Sequence, residues 1–349
     1  MMKVNFVNDY SQVAHEKVLA RLAEAGREAN SGYGTDRYTR SAAEKIKAAC
    51  GKPDADVFLL TGGTQTNQVV IASLLKPYQG VVTVDSGHIA VHEGGAIETT
   101  GHKVLTLPPH DGRLDADELA DYLKLFYAGE SYDHMVIPGM VYISYPTEYG
   151  TLYSRSELER IYAVCREYRM PLFIDGARLG YGLCSPACDI TMKDLAELCD
   201  VFYIGGTKVG AMNGEAVVFC NIPMPEYFVT MAKQRGALLA KGFVLGLQFD
   251  TLFTDNLYLQ ISRNAIDTAE EIKKILKEKG YRFLLDSPTN QIFIIVKDEE
   301  LPKLSEGIGF ECWEKVDAAH TAIRLVTSWA TSREDVEQIK ALLPDQRQI

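Results

Sequence analysis

Lys208 stands in the segment VFYIGGTKVG (201–210), directly after an apolar run and among small residues. A lysine beside a buried strand loses its proton more easily than a solvated one, and its neutral amine can form an imine with a carbonyl group. The same pattern is also typical of an ordinary solvated loop lysine. Lys208 and its neighbour Thr207 are therefore candidates that need support from other residues.

Asp175 ends a second apolar run, in the segment FIDGAR (173–178). A carboxylate at the carboxyl end of a strand lies where open α/β folds bind ligands, and it could pair with a protonated ring nitrogen. Arg178, three residues later, could bind a substrate carboxylate in a bidentate manner. Alternatively, Asp175 caps the next helix and Arg178 is a surface residue.

A glycine-rich turn, TGGTQTN (61–67), follows the apolar run VFLL (57–60). The free N–H groups and the positive dipole end of a helix that starts at such a turn suit a phosphate. Gly63 would allow close approach, and Thr64 and Gln65 could add donors. The turn matches neither a P-loop nor GxGxxG, and ordinary polar turns between a strand and a helix share its composition.

Two histidines, His88 and His92, lie in the segment DSGHIAVHEGGA (85–96), shortly after another apolar run. One imidazole could stack on an aromatic cofactor, and Glu93 could order the loop. Each feature alone is common. A phosphate turn, an acid at one strand end and a lysine after the next strand together form the layout of a fold-type I pyridoxal-phosphate site.

Short apolar runs that alternate with amphipathic stretches must position these residues. Several runs are rich in Val, Ile and Phe without alternation, as expected for strands covered on both faces. Helical patterns such as ADELADYLKLFYAG and SELERIYAVCREYR lie between them. This spacing predicts βαβ units around a largely parallel sheet.

The alternation of short apolar runs and amphipathic stretches changes near residue 252. A long helical stretch, LYLQISRNAIDTAEEIKKILKEKG, precedes the apolar runs QIFIIV (291–296) and IRLVTSW (323–329), and a last helical pattern, SREDVEQIKALL, follows them. We therefore predict an α/β protein with an N-terminal segment (1–30), a large domain (31–251) and a small C-terminal α+β domain (252–349).

The composition argues against several classes of partner. The 349-residue chain has 36 Lys and Arg against 47 Asp and Glu, a formal charge of −11, which disfavours nucleic acid and anionic membranes. Neither a membrane span nor a signal peptide is apparent. Seven scattered cysteines do not suggest a disulfide framework, and Cys184 and Cys188 are expected to be core thiols rather than metal ligands. We expect a cytoplasmic protein.

The sequence resembles the low-specificity threonine aldolase family, within the beta-eliminating lyases and the aspartate-aminotransferase fold (fold type I). The resemblance covers essentially the whole chain and implies a large domain with a mainly parallel sheet and a small C-terminal α+β domain. It is carried by the order and spacing of the segments YGTD (33–36), TGGTQTN (61–67), GHIAVHEGGA (87–96), PTEYGTLY (146–153), IDGARL (174–179), GGTKVG (205–210) and IRLVTSWATSRED (323–335).

The resemblance implies pyridoxal 5'-phosphate (PLP) as cofactor, with Lys208 as the Schiff-base lysine. Asp175 would pair with the ring nitrogen and His88 would stack on the ring. It also implies a dimer or tetramer with the site at a subunit interface. The other implied cofactor ligands are Gly63, Thr64, Gln65, Thr207, Arg235 and Lys241, and the implied substrate ligands are Asn8, Tyr33, Arg178 and Arg324.

Two positions depart from the family pattern. A histidine that contacts the substrate hydroxyl in the family corresponds to Glu148 in SYPTEYGT, and a serine near the substrate carboxylate corresponds to Asn8 in FVNDYS. A carboxylate could still act as a base if burial raised its pKa. The exchange also leaves room for another substrate or a related lyase reaction.

The expected reaction is retro-aldol cleavage of L-threonine, L-allo-threonine or a related β-hydroxy-α-amino acid to glycine and an aldehyde. The base would be His88 directly or Glu148 through a water. β-Elimination or transamination on the same scaffold is the alternative. A nucleotide-binding oxidoreductase would lack its acidic ribose partner at the expected spacing, and a non-catalytic PLP-fold binding protein would show no turnover.

Overall fold

The computed structural model describes residues 3–348 of the chain. The strands are β1 (Val4–Asn5), β2 (Asp56–Leu60), β3 (Gln79–Val84), β4 (Val104–Leu107), β5 (Ile137–Ser144), β6 (Leu172–Asp175), β7 (Val201–Gly205), β8 (Glu215–Phe219), β9 (Arg282–Phe283), β10 (Gln291–Lys297), β11 (Ile308–Gly309), β12 (Glu311–Lys315) and β13 (His320–Val326). The α-helices are α1 (Glu16–Glu24), α2 (Arg37–Cys50), α3 (Gly63–Leu74), α4 (His88–Val91), α5 (Ala116–Ala128), α6 (Arg155–Glu167), α7 (Leu179–Cys184), α8 (Met192–Glu197), α9 (Phe228–Gln234), α10 (Phe243–Leu252), α11 (Leu257–Glu278), α12 (Leu301–Gly307) and α13 (Arg333–Leu342).

The central sheet has seven strands in the order β2-β8-β7-β6-β5-β3-β4. Strands β3 to β7 pair in parallel, whereas β8 is antiparallel to both of its neighbours. The predicted, mainly parallel sheet is confirmed. Because β8 runs in the opposite direction, its first residue, Glu215, lies opposite Leu60 and Gly205, the last residues of β2 and β7. The ends of β2, β5, β6 and β7 and the start of β8 therefore share one edge.

The sheet is covered on both faces, which explains why its strands read as continuous apolar runs. In β5, Val141 and Ile143 belong to the core on one face, and Met140 and Tyr142 belong to the core on the other. This alternation is the two-residue period of a strand. Burial on both faces fixes the register, so the residues at the strand ends are held in place.

The C-terminal part contains a four-stranded antiparallel sheet in the order β12-β13-β10-β9. Strand β1 pairs in parallel with β11, and Val4 and Phe6 are buried in the same apolar core as Ile294 and Leu325. Val4 and Phe6 of the predicted N-terminal segment thus pack in the C-terminal core. The proposed domain boundary at 252 falls on the last residue of α10.

Two further observations concern the composition. Among residues 3–348, no helix combines the length and the apolar character needed to cross a membrane. Cys184 is buried and its thiol lies 3.4 Å from the carbonyl oxygen of Leu259. The thiol of Cys188 lies 3.2 Å from the hydroxyl of Tyr145. Both thiols therefore have contacts within the protein.

Close packing of two backbone segments holds the loop after β6. A Cβ on Gly176 would lie 2.0 Å from the carbonyl oxygen of Tyr203, so Gly176→Ala forces the end of β7 away. We expect it to lower the free energy of unfolding by about 1–3 kcal/mol, as overpacking does, with a lower urea midpoint. Gly26→Ala is the control, since its Cβ would meet nothing within 4 Å. Equal midpoints for the two variants would contradict this packing.

Candidate active site

A cleft of about 300 Å³ opens at the sheet edge where β5, β6 and β7 end. Ligands of open α/β folds bind at this edge because loops diverge there and leave space between the strand ends. The cleft brings together residues that are far apart in the sequence. The sequence-predicted site residues that line it are Gly63, Thr64, His88, Glu148, Asp175, Arg178, Thr207 and Lys208.

Lys208 lies in the loop between β7 and β8. The hydroxyl of Tyr181 donates to the carbonyl oxygen of Lys208 at 2.5 Å and fixes the backbone there. The pKa of Lys208 is lowered to about 8, because burial and the Arg178 cation lower it and outweigh the carboxylate of Asp9, which raises it. A substantial fraction of the amine is therefore neutral, and nucleophilic, near physiological pH.

Asp175, at the end of β6, accepts four hydrogen bonds. Its Oδ1 accepts from the hydroxyl of Tyr203 at 2.5 Å and from the N–H of Ala177 at 2.9 Å. Its Oδ2 accepts from the hydroxyl of Tyr142 at 2.5 Å and from Asn67 Nδ2 at 3.2 Å. Burial, with Asp175 next in importance, raises the pKa of both tyrosines well above the ordinary value. They therefore remain donors, and the carboxylate is rigidly held.

Helix α3 begins at the cleft. Gly62 precedes it and has no side chain with which to cap the helix, so the first N–H groups of α3 are available to a ligand. A Cβ on Gly63 would lie 3.1 Å from the hydroxyl of Tyr203, which shows how closely the turn approaches the strand beside it. Gln65 Oε1 accepts from the backbone N–H of Thr61 at 3.4 Å. This helix end suits a phosphate.

Glu148 is a buried carboxylate in the wall of the cleft. Its Oε1 accepts from the hydroxyl of Ser144 at 2.6 Å and from the backbone N–H of His88 at 2.9 Å. Burial raises the pKa of Glu148, and the hydrogen bond from Ser144 opposes this effect. Glu148 can therefore exchange a proton at a higher pH than an exposed glutamate does.

Arg178 is already paired with a carboxylate of its own chain. Its Nε donates to Asp9 Oδ2 at 2.7 Å and its Nη2 donates to Asp9 Oδ1 at 3.1 Å. Asn290 Nδ2 also donates to Asp9 Oδ2, at 3.0 Å. The hydrogen bonds to Asp9 thus use Nε and one N–H of Nη2, which leaves Nη1 and the second N–H of Nη2 for a substrate.

Arg324 lies on β13, next to the cleft rather than in its lining. Its Nη1 donates to Gln291 Oε1 at 2.8 Å, its Nη2 contacts Glu311, and its Cζ lies 4.9 Å from the ring centre of Trp313. Burial lowers the pKa of Arg324, and the nearby Arg178 cation lowers it further. The cations of the two arginines therefore repel each other.

Asn8 does not line the cleft, and its assignment to the substrate stays a prediction. Its Oδ1 accepts from the N–H of Tyr10 at 3.0 Å and from the hydroxyl of Ser11 at 2.8 Å. Asn8 lines a separate depression, together with Lys3. The backbone turn that these hydrogen bonds form directs the next residue, Asp9, to Arg178 instead.

Three further predicted residues, like Asn8, Gln65 and Arg324, do not line the cleft of this chain. Tyr33 is 50% exposed, with Lys233 Nζ 5.0 Å from its ring centre. Arg235 is the residue that caps the end of α9, and Lys241 is exposed. Their assignment to a neighbouring subunit's cofactor stays a prediction.

Sequence reasoning missed several residues of the site. Tyr142 and Tyr203 carry hydroxyls within apolar buried strands, and such hydroxyls must find partners, which was a usable signal. Glu215 is a charged residue at the start of an apolar strand, and it lines the cleft. Burial raises the pKa of Glu215 to about 8, while a hydrogen bond from Thr207 and the charge of Lys208 oppose this. No comparable feature of the sequence marked Asp9 as a residue of the site.

This arrangement of a carboxylate at the end of β6, a lysine after the next strand, β7, and a free helix end is that of an aspartate-aminotransferase-like, fold-type I PLP enzyme. Aspartate aminotransferase from Thermus thermophilus has the same fold, with a TM-score of 0.69 and 16% identity over 98% of this chain and 92% of that one. The beta-eliminating lyase family matches residues 6–299. The chain belongs to this family.

Two relatives are more similar. The solved structure of a threonine aldolase from Leishmania major has a TM-score of 0.93 and 41% identity, covering 97% of this chain and 98% of that one. The low-specificity L-threonine aldolase of Pseudomonas aeruginosa is 28% identical over 345 residues, 97% of this chain and 96% of that protein. The family resemblance seen in the motifs is confirmed over nearly the whole length.

Proposed function

We propose that this protein binds PLP and cleaves the Cα–Cβ bond of L-threonine, L-allo-threonine or a related β-hydroxy-α-amino acid, releasing glycine and an aldehyde. The observation that carries the proposal is the joint presence of Lys208, Asp175 and the start of α3 in one cleft. The similarity to proteins named threonine aldolases from Leishmania major and Pseudomonas aeruginosa supports the choice of reaction.

The residues present fit PLP. The free N–H groups at Gly63 and Thr64 would hold the phosphate, Asp175 would accept a hydrogen bond from the ring nitrogen, and the Lys208 amine would bind the aldehyde carbon. Four donors already fix Asp175, so it presents a preorganised negative charge. Bound PLP supplies an electron sink for the electron pair of the broken bond.

The protein's own side chains would orient the substrate and take its proton. Arg178 and Arg324 would bind the α-carboxylate, and this fixes which bond at Cα breaks. Glu148 would accept the β-hydroxyl proton. Ser144 and the His88 N–H both hold Oε1 of Glu148, which leaves Oε2 for the substrate. Lys208, with its pKa of about 8, would exist in both protonated and neutral forms near neutral pH.

Glu148→Gln tests the proposed base. We expect kcat for threonine cleavage to fall about 10²–10⁴-fold, as for loss of a general base. Since burial raises the pKa of Glu148, wild-type kcat/KM should fall with acid at a higher pH than for an exposed glutamate. The variant should lose this acidic limb. Glu159→Gln, at an exposed glutamate of α6, is the control. An acidic limb that persists in Glu148→Gln would show that another group is the base.

The choice of reaction is tested by its products. With L-threonine or L-allo-threonine, we expect glycine and acetaldehyde in equal amounts. β-Elimination is the second candidate, and Glu148 at the family's histidine position is the observation that favours it. It would yield ammonia and a 2-oxo acid from amino acids with a β-leaving group. Quantifying glycine, aldehyde and 2-oxo acid separates the two, and 2-oxo acid without glycine would overturn the aldolase assignment.

We also propose a homo-oligomer, a dimer or a tetramer, in which Tyr33, Arg235 and Lys241 reach the neighbouring subunit's cofactor. Exposed aromatic side chains support it, because Tyr10 is 55% exposed and also lines the cleft. Light scattering of the purified protein measures the assembly. A cytoplasmic location is proposed on the sequence features alone.

A further inference from the structure

A chain of hydrogen bonds connects the loop after β3 to the end of β6, and the mechanism above uses only its last link, from Asn67 to Asp175. His88 Nδ1 lies 2.8 Å from Glu93 Oε1. Asn67 Nδ2 donates to the same oxygen at 2.7 Å and to Asp175 Oδ2 at 3.2 Å. The chain therefore runs from His88 through Glu93 and Asn67 to Asp175.

The middle of this chain is fully enclosed. The side chain of Glu93 is 0% exposed, as is Asn67. Among the described residues, Glu93 Oε2 and Asn67 Oδ1 are buried atoms without a hydrogen-bond partner. A buried, incompletely satisfied carboxylate costs stability. Its presence beside the cleft therefore suggests a role in the site.

The contact between Glu93 and His88 selects one form of the imidazole. The ring nitrogen that faces a carboxylate carries the proton, so Nδ1 is the donor and Nε2 of the neutral ring keeps its lone pair. The acid of a Ser-His-Asp triad orients its histidine by the same contact. Glu93 thus fixes both the orientation and the tautomer of His88.

We infer that Glu93 and Asn67 are positioning residues, which hold the His88 ring in the Nδ1–H form and at a fixed place relative to Asp175. This inference rests on the proposed function, in which Asp175 contacts PLP, and on the prediction that His88 stacks on the PLP ring. One connected set of hydrogen bonds then sets the distance between His88 and Asp175, the two groups between which the cofactor would bind. Asn67 is the link, because a single amide donates to both carboxylates.

The tautomer of His88 gives the first test. Long-range ¹⁵N NMR of ¹⁵N-histidine-labelled holoenzyme, with the signal assigned by a His88→Gln variant, should show the proton on Nδ1. Glu93→Gln keeps an acceptor oxygen and should preserve that form, whereas Glu93→Leu should shift the proton to Nε2. Glu118→Leu is the control. It also removes a glutamate that makes a 2.8 Å contact to a histidine, His110, but both of these side chains are exposed. An unchanged His88 tautomer in Glu93→Leu would overturn the inference.

The link through Asn67 gives the second test, by the dissociation constant for PLP. We expect Glu93→Ala, which removes the acceptor oxygen, and Asn67→Leu each to raise it about 10–100-fold, as loss of an orienting partner does at metal sites, and the double variant to add little more. Two effects that simply multiply would show independent structural damage and contradict a connected chain. If Glu93→Leu does not fold, the comparison of the two single variants with the double variant decides by itself whether the inference holds.

Both readouts are independent of the substrate. If the protein binds PLP but cleaves another amino acid, the tautomer and the binding cycle still report on Glu93 and Asn67. Failure of the proposed function would appear instead in the products. With threonine as substrate, we expect kcat of Glu93→Leu to fall about 10–100-fold with little change in KM. Wild-type kcat in Glu93→Leu would also count against the inference.

Discussion

Lys208→Ala is expected to lower the rate of glycine formation from threonine by at least about a thousand-fold. The substitution removes the amine that would attach PLP and also a group that carries protons, and general acid–base catalysis alone contributes about 10²–10⁴-fold. Phosphate binding at the start of α3 does not depend on this amine. The variant should therefore still bind PLP, but without a covalent link. Steady-state kinetics and the absorbance of the bound cofactor measure both effects.

Two further variants separate chemistry from charge. Lys208→Arg keeps the positive charge but cannot form the covalent link, so it should be as inactive as Lys208→Ala. Lys45→Ala is the control, since Lys45 is a partly buried lysine that pairs with Asp250 at 2.6 Å, and neither residue lines the cleft. It should keep nearly full activity. Turnover in Lys208→Ala within tenfold of wild type would contradict the assigned role.

Asp9→Ala is expected to have the largest effect on stability. It leaves the buried guanidinium of Arg178 without its bidentate partner, and loss of one member of a buried ion pair costs about 3–5 kcal/mol. Urea unfolding of the holoenzyme measures this difference. Glu159→Ala, which breaks an exposed pair with Arg155, should cost below about 1 kcal/mol. Equal costs for the two variants would contradict the buried pair.

The cost of losing Asp9 should depend on pH in a defined direction. Burial would raise the pKa of Asp9, but the cations of Arg178 and Lys208 and the hydrogen bonds outweigh it and lower that pKa. An acid with a lowered pKa stabilises the fold above its unfolded pKa and loses this contribution as the pH falls through the folded value. The difference between wild type and Asp9→Ala should be full at neutral pH and shrink in acid, below the ordinary carboxyl range.

The strand-end residues were predictable because local patterns determine them. The apolar runs before Asp175 and Lys208 predict buried strands, and parallel strands place their carboxyl ends at one edge. The structure confirms these strands as β6 and β7. Adjacency of the acid and the lysine follows from that topology without knowledge of any side-chain contact.

The partners of these residues could not be predicted because they depend on the tertiary structure. Asp9 reaches Arg178 across 169 positions of sequence, and only the folded path of the N-terminal segment brings them together. Arg324 meets Glu311 because the register of β12 and β13 places the two opposite each other. Neither contact follows from composition or periodicity, and together they determine which guanidinium nitrogens face a substrate.

Borohydride reduction of the PLP-loaded wild-type protein tests the central assignment most directly. Reduction makes a lysine–PLP linkage permanent, and peptide mass spectrometry then locates it. We expect the adduct on the peptide that contains Lys208. The fraction of protein that carries it should equal the fraction of glycine-forming activity that is lost. An adduct on a different lysine, or an unmodified Lys208 in protein that still cleaves threonine, would contradict the account.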